Sequence, residues 1–151
     1  AAASIDPDRI IFAGDLPKPD HLARLSLADL GLDTLVYGGH TTTVDALVTN
    51  VPVITIEGTH FSSRVSSSIL SAIGLQELVC NDLGAYHELA IALATDRNCL
   101  TAFRQKIMTN RISSPLFDAD KFVSHLEDGL EIAWNKHVEG KPPDHIQIEK
   151  R

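Results

Sequence analysis

"YGGHTTTVDALVTNVPVITI", residues 37–56, decides how the rest of the chain is to be read. Its last part, "VPVITI" (51–56), is β-branched and almost wholly apolar. A strand of that kind is buried on both faces, as in a parallel sheet covered by helices. Before it, "TTTVDALVTN" has the pattern of a short helix, and "YGG" has the small residues of a tight turn. Working outward, "LDTLVY" (32–37) and "RIIFA" (9–13) are expected as earlier strands, and "ELVC" (77–80) as a later one. Asp20 is expected to cap a helix through "HLARLSLADL", and Gly74 to close a helix through "RVSSSILSAIGL". From Leu83 onward the pattern is helical, over "GAYHELAIALATD", "RNCLTAFRQKIMTN" and "ADKFVSHLEDGLEIAWNKHV". Strand–helix alternation of this kind predicts an α/β fold: a Rossmann-like parallel sheet with flanking helices. About four strands are few for a complete doubly wound domain, so part of the sheet is expected to lie outside this chain. Phe103, Phe117, Phe122 and Trp134 are expected in the core.

The 151 residues are 44% hydrophobic and 22% charged, with a net charge of −7. That length suits one domain, or the larger part of one. The acidic balance excludes a broad nucleic-acid surface, and no apolar run is long enough for a membrane helix. Two cysteines, Cys80 and Cys99, lack metal-type spacing and fit a reducing compartment. Residues 1–8 look like a linker or the edge of something longer. The tail 138–151, rich in proline and charge, is expected to be flexible.

In a parallel sheet, ligands bind beyond the carboxyl ends of the strands, where loops enter helix N-termini. "YGGHTTT" falls at such a place. The first amides of a helix lack intrahelical acceptors and carry partial positive charge. Glycines allow close approach and threonine hydroxyls add donors, which together make a phosphate seat at His40, Thr41 and Thr42. Asp45, one turn further on, is placed to reach the hydroxyls of a ribose. The plainer alternative makes Thr41 an N-cap and Asp45 a simple helix residue. A second cluster, "PKPDHLAR", brings Lys18, His21 and Arg24 together. His21 and Arg24 are three apart and share a helix face. Two cations and an imidazole suit a diphosphate and a stacked base; alone, they would equally suit a solvated face. Both clusters follow expected strands of one sheet, which points to a nucleotide diphosphate.

These stretches, with "LADLGLDT", "VPVITIEGTHFSSRVSSSIL", "GLQEL" and "RISSPLF", resemble in order and spacing the C-terminal lobe of nucleocytoplasmic O-GlcNAc transferases, which have a GT-B fold and use UDP-N-acetylglucosamine. The resemblance runs from about Arg9 to His145. It implies that 9–137 is part of the donor-binding lobe, with UDP contacted by Leu16, Pro17, Lys18, His21, Arg24, His40, Thr41, Thr42 and Asp45. In that scheme His21 stacks on uracil, Asp45 bonds the ribose, and the α-helix start holds the diphosphate. The implied reaction moves N-acetylglucosamine to a serine or threonine of a protein, with no metal and no cofactor. No catalytic residue is assigned within this chain. The implied partners are an N-terminal catalytic lobe and TPR repeats, and the implied location is cytoplasmic or nuclear.

The chain departs from the family at Leu16, where a smaller residue is common, and at Thr43, where a glycine often follows "HTT". A family lysine that touches the leaving diphosphate precedes the "RIIF" strand and is not among these residues. The chain is therefore not expected to turn over alone. A rival within the resemblance is a SPINDLY-type lobe that uses GDP-fucose; another is a nucleotide-binding scaffold without chemistry. "DAD" (118–120) matches a metal-binding DxD, but Asp118 is better placed as an N-cap. His60, His87, His125 and His137 form no metal-ligand pattern and are expected at or near the surface.

Overall fold

The computed structural model describes residues 5–148. Three parallel strands form the sheet: β1 (Gly31–Leu32), β2 (Val53–Ile56) and β3 (Val79–Cys80), in the order β1-β2-β3. The register pairs Gly31 with Val53 on one side of β2 and Thr55 with Val79 on the other. β2 is central and its Val53, Ile54 and Thr55 are buried, as its unbroken β-branched sequence demands.

The described residues also form six helices: α1 (Lys18–Leu25), α2 (Thr41–Val48), α3 (Val65–Ala72), α4 (Leu83–Thr95), α5 (Arg97–Ser113) and α6 (Ala119–Val138). Local chemistry sets most of their ends. The aspartates Asp82, Asp96 and Asp118 cap α4, α5 and α6 by accepting from first-turn amides. Gly74 follows α3 with φ of +77°, a conformation open to glycine at little cost. Asn50 takes φ of +61° after α2, while the Val51 amide bonds back to the Ala46 carbonyl at 2.8 Å. The main core joins Leu47, Ile54, Leu70, Leu75, Leu78, Leu93 and Ile107, drawn from α2 through α5 around β2. Each such side chain contributes roughly 1.5–3 kcal/mol by leaving water.

Four sequence expectations are corrected. "RIIFA" is not a strand: Ile11 is 85% and Phe12 94% exposed. An apolar run stays extended and buried only with a paired neighbour, and none pairs with it among the described residues. "LDTLVY" keeps one residue of strand, because the chain bends away after Asp33, whose carboxylate accepts from the amides of Thr34 (2.9 Å) and Gly39 (2.6 Å). Asp20 does not cap α1, which starts two residues earlier, from Pro17, with Pro19 in its first turn. Finally, Phe122 and Trp134 are 66% and 65% exposed, and no residue of α6 is buried. Phe103 and Phe117 do pack, half-buried, against the core.

Candidate functional site

The two clusters separated in sequence meet in space. α1 and α2 lie side by side, and Asp45, one turn into α2, is the point of contact. Lys18 Nζ donates to both Asp45 carboxylate oxygens, at 2.5 and 2.6 Å. The Asp45 side chain is only 12% exposed whereas that of Lys18 is 60% exposed, so the anion is held in place and the cation can swing. His21 Nε2 approaches the other side of the carboxylate, 3.4 Å from Oδ2.

Arg24 stands behind His21. Its Nη1 donates to the Gly14 carbonyl (2.9 Å) and its Nη2 lies 3.4 Å from His21 Nδ1. A guanidinium can only donate, so in this contact Nδ1 is the acceptor, and Nε2 faces Asp45. Arg24 thus orients His21 and ties down the loop before α1. Pro17 is the N-cap residue of α1, and Leu16 before it is half-exposed.

The second half of the site is the start of α2. Helix bonding begins with the Val44 amide on the His40 carbonyl (3.3 Å), so the amides of Thr41, Thr42 and Thr43 precede the first intrahelical acceptor. Thr41 and Thr42 are exposed and their hydroxyls add to this donor edge. Thr43 points inward, and its Oγ1 pairs with Ser66 Oγ at 2.8 Å. Ser66 Oγ also donates to the Gly39 carbonyl (2.7 Å). Gly39 has no room for a side chain, since a Cβ there would lie 2.3 Å from Thr43 Oγ1. The His40 ring stacks on Tyr37 (centroids 5.2 Å, planes 10° apart) and meets the edge of Phe61 at 5.8 Å. His40 Nε2 is buried without a hydrogen-bond partner.

The sequence reading therefore placed Lys18, His21, Arg24 and Asp45 in what proves to be one cluster, with His40, Thr41 and Thr42 on the adjoining turn. It missed Asp33, Ser66 and Tyr37. Nothing local distinguishes an aspartate after a short strand, and only contacts across the fold reveal it. Outside this site, burial raises the Cys80 thiol and the Tyr86 phenol above their ordinary values, and the nearby Asp33 charge adds to the effect at Tyr86. Among the described residues no helix is long and apolar enough to cross a membrane, and no group of three His, Cys, Asp or Glu could hold a metal ion.

Comparison with known proteins gives consistent matches. The model of glycosyl transferase family 41 matches residues 1–126. A UDP-N-acetylglucosamine–peptide N-acetylglucosaminyltransferase of Caenorhabditis elegans is 39% identical over 94% of the chain, which spans 12% of that relative. The probable UDP-N-acetylglucosamine–peptide N-acetylglucosaminyltransferase SEC of Arabidopsis thaliana is 37% identical over 98% of the chain, and 15% of the plant protein is covered. A probable transferase of the same description, SPINDLY of Petunia hybrida, is 35% identical over 96% of the chain, with 16% of its own length covered. Among solved structures, a mutant O-GlcNAc transferase of Thermobaculum terrenum superposes with a TM-score of 0.73 at 36% identity. That match covers 79% of this chain and 23% of the bacterial one. The fold is thus that of part of a GT-B lobe, a parallel sheet with flanking helices. The chain spans less than a quarter of the length of each of these four relatives.

Proposed function

The chain belongs to glycosyl transferase family 41, and on that ground we propose that it forms the UDP-binding part of a protein O-GlcNAc transferase. One observation carries the reading: Lys18 and His21 of α1 converge on Asp45, one turn beneath the free amide edge of α2. A carboxylate held so firmly is a two-point acceptor for the vicinal hydroxyls of a ribose. The His21 ring, oriented by Arg24, offers its face to a base. The Thr41 and Thr42 amides and hydroxyls then lie where a diphosphate follows the ribose.

The proposed reaction joins a serine or threonine hydroxyl oxygen of a protein to the anomeric carbon of N-acetylglucosamine. The bond from that carbon to the β-phosphate oxygen breaks, its electron pair leaves with UDP, and the hydroxyl proton passes to water. Negative charge on the diphosphate grows along this path. Donors fixed at the start of α2 bind the leaving group more strongly than the donor substrate, which is the requirement for catalysis. Lys18, mobile enough to leave Asp45, can follow that charge. The reading assigns no metal to this step, so chelation with EDTA is expected to leave transfer by the intact protein unchanged; loss of transfer that magnesium restores would overturn that assignment. The acceptor is bound largely by the rest of the protein, which we take to include an N-terminal catalytic lobe and TPR repeats. We place the protein in the cytoplasm or nucleus, in keeping with its two free cysteines.

Calorimetric titration of the chain with UDP, GDP and UDP-GlcNAc tests the site, with a His21→Ala, Asp45→Ala double variant as control. UDP binding that exceeds GDP binding and vanishes in the variant supports the assignment. A preference for GDP moves the donor to a guanosine sugar, as in the fucose reading. No binding of any nucleotide sinks the claim that these residues form a working half-site.

A further inference from the structure

We propose that Asp33 is the positioning residue of the diphosphate seat: it touches no ligand, but sets the direction in which the first turn of α2 presents its donors. The inference rests on the UDP reading above and goes beyond it, because Asp33 lies outside the cluster that meets the nucleotide.

β1 ends at Leu32, and the Asp33 amide still bonds to the Ile54 carbonyl of β2 at 3.0 Å. The side chain then takes over from the sheet. Oδ1 accepts from the Thr34 amide (2.9 Å) and from the Gly39 amide (2.6 Å), so one oxygen closes the whole loop from 33 to 39. Oδ2 accepts from Thr55 Oγ1 at 2.7 Å, and Thr55 is fully buried on central β2. The loop is therefore bolted to the central, buried strand of the sheet. The Asp33 carbonyl in turn accepts from the Tyr86 hydroxyl of α4 at 2.9 Å.

Gly39 is the last residue before the N-cap of α2, and both its polar groups are engaged. Its amide goes to Asp33 and its carbonyl to Ser66, which also holds Thr43. A peptide gripped at both ends cannot rotate, and that fixes the exit vector into α2. The Gly39 amide is thereby withdrawn from any ligand, which leaves the Thr41 and Thr42 amides and hydroxyls as the facing donors. A carboxylate this close to an anion seat opposes the anion by charge, so its effect on binding depends on the order it imposes.

A purely structural aspartate would weaken every ligand alike, whereas one that aims the start of α2 affects the phosphates selectively. The test is calorimetry on the chain with UDP, and competition NMR with uridine, for wild type, Asp33→Ala and Asp33→Asn. In Asp33→Ala, UDP affinity is expected to fall by about tenfold while uridine affinity changes by less than about twofold. Asp33→Asn keeps one oxygen for Thr34 and Gly39 and can still pair with the Thr55 hydroxyl, so it should recover most of the loss. Equal losses for UDP and uridine, or no loss for either, overturn the inference and leave the UDP reading standing. Should Asp33→Ala fail to fold, amide exchange of the wild type decides. The Gly39 N–H is expected to stay protected when UDP is added while the Thr41 and Thr42 resonances move. Deprotection or a large shift of Gly39 overturns the inference. Failure of wild-type chain to bind UDP removes both claims at once.

Discussion

Around Asp45, Lys18 and His21 reach across from another helix with long, partly exposed side chains. Around Gly39, by contrast, the holding groups are an amide, a carbonyl, a short carboxylate and the hydroxyls of Thr43, Thr55 and Ser66, most of them buried. The first arrangement is adjustable. Lys18 can exchange one anion for another with little backbone movement, since its ammonium is a point charge on a flexible stem. The second is rigid, because each partner is a backbone group or a side chain with one or two rotatable bonds. Under the proposed function this contrast would match two tasks: recognising a nucleoside that enters and leaves, and presenting fixed dipoles to a charge that grows during reaction.

Substitutions put that contrast at risk. The largest effect is expected from Asp45→Ala, which leaves Lys18 and His21 without the carboxylate they share. It also removes the proposed acceptor of the ribose hydroxyls. Losing hydrogen bonds to a charged group costs about 1.5–3 kcal/mol, so UDP affinity should fall by roughly ten- to a hundredfold in calorimetry. A loss under about threefold would mean that Asp45 is not the centre of the nucleoside half. Ser66→Ala removes the common partner of the Gly39 carbonyl and the Thr43 hydroxyl. The expected cost is about 1–2 kcal/mol of stability, seen as a lower denaturant midpoint with an unchanged slope. An unchanged midpoint would show that the rigid half is not held by this network.

Lys18→Met comes next. Its effect on UDP binding should be about fivefold at low salt and should shrink as salt rises, since exposed charges are screened. A loss independent of salt would contradict the adjustable character given to this half. The smallest effect serves as a reference outside the site. The hydrogen bond from Lys106 holds Glu77 below the usual carboxylate range, and both side chains are substantially exposed. The pair's contribution is therefore fully present above the ordinary carboxylate pKa and is lost as pH falls through the depressed one. Glu77→Gln should cost under about 0.5 kcal/mol at pH 7 and flatten the acid limb of the stability profile. A larger loss would show that exposed pairs in this fold are stronger than the Lys18 argument assumes.

Parts of this molecule were legible residue by residue. The apolar β-branched run 51–56 is buried wherever it sits, so β2 followed from sequence alone. Asp118 acts on amides within three residues, and Gly74 on the turn it occupies, so these signals needed no distant partner. The candidate site was half legible. Lys18, His21, Arg24 and Asp45 have side chains whose chemistry suggests a nucleotide, and the expected strand alternation already paired the two clusters. One strand it relied on, "RIIFA", does not form, so their meeting across 27 residues of chain is decided by the fold. Asp33 was invisible by either route. Thr43 is instructive: its hydroxyl finds a buried partner in Ser66, and that pairing cannot be seen in the residue itself.

Apolar character misled in the opposite direction. Ile11, Phe12, Phe122 and Trp134 are as hydrophobic as Ile54 or Phe103, but burial depends on what lies opposite. Capping, turn chemistry and hydropathy act over a few residues, so the order of amino acids was enough to mark most helix ends, the central strand, and the residue types able to meet a phosphate or a ribose. Three outcomes came from the folded chain alone. α1 delivers its cation and imidazole to Asp45, Asp33 and Ser66 grip one glycine from both sides, and α6 leaves apolar side chains exposed. Each depends on distances between segments far apart in the chain, and hydrogen bonds and packing act only at contact.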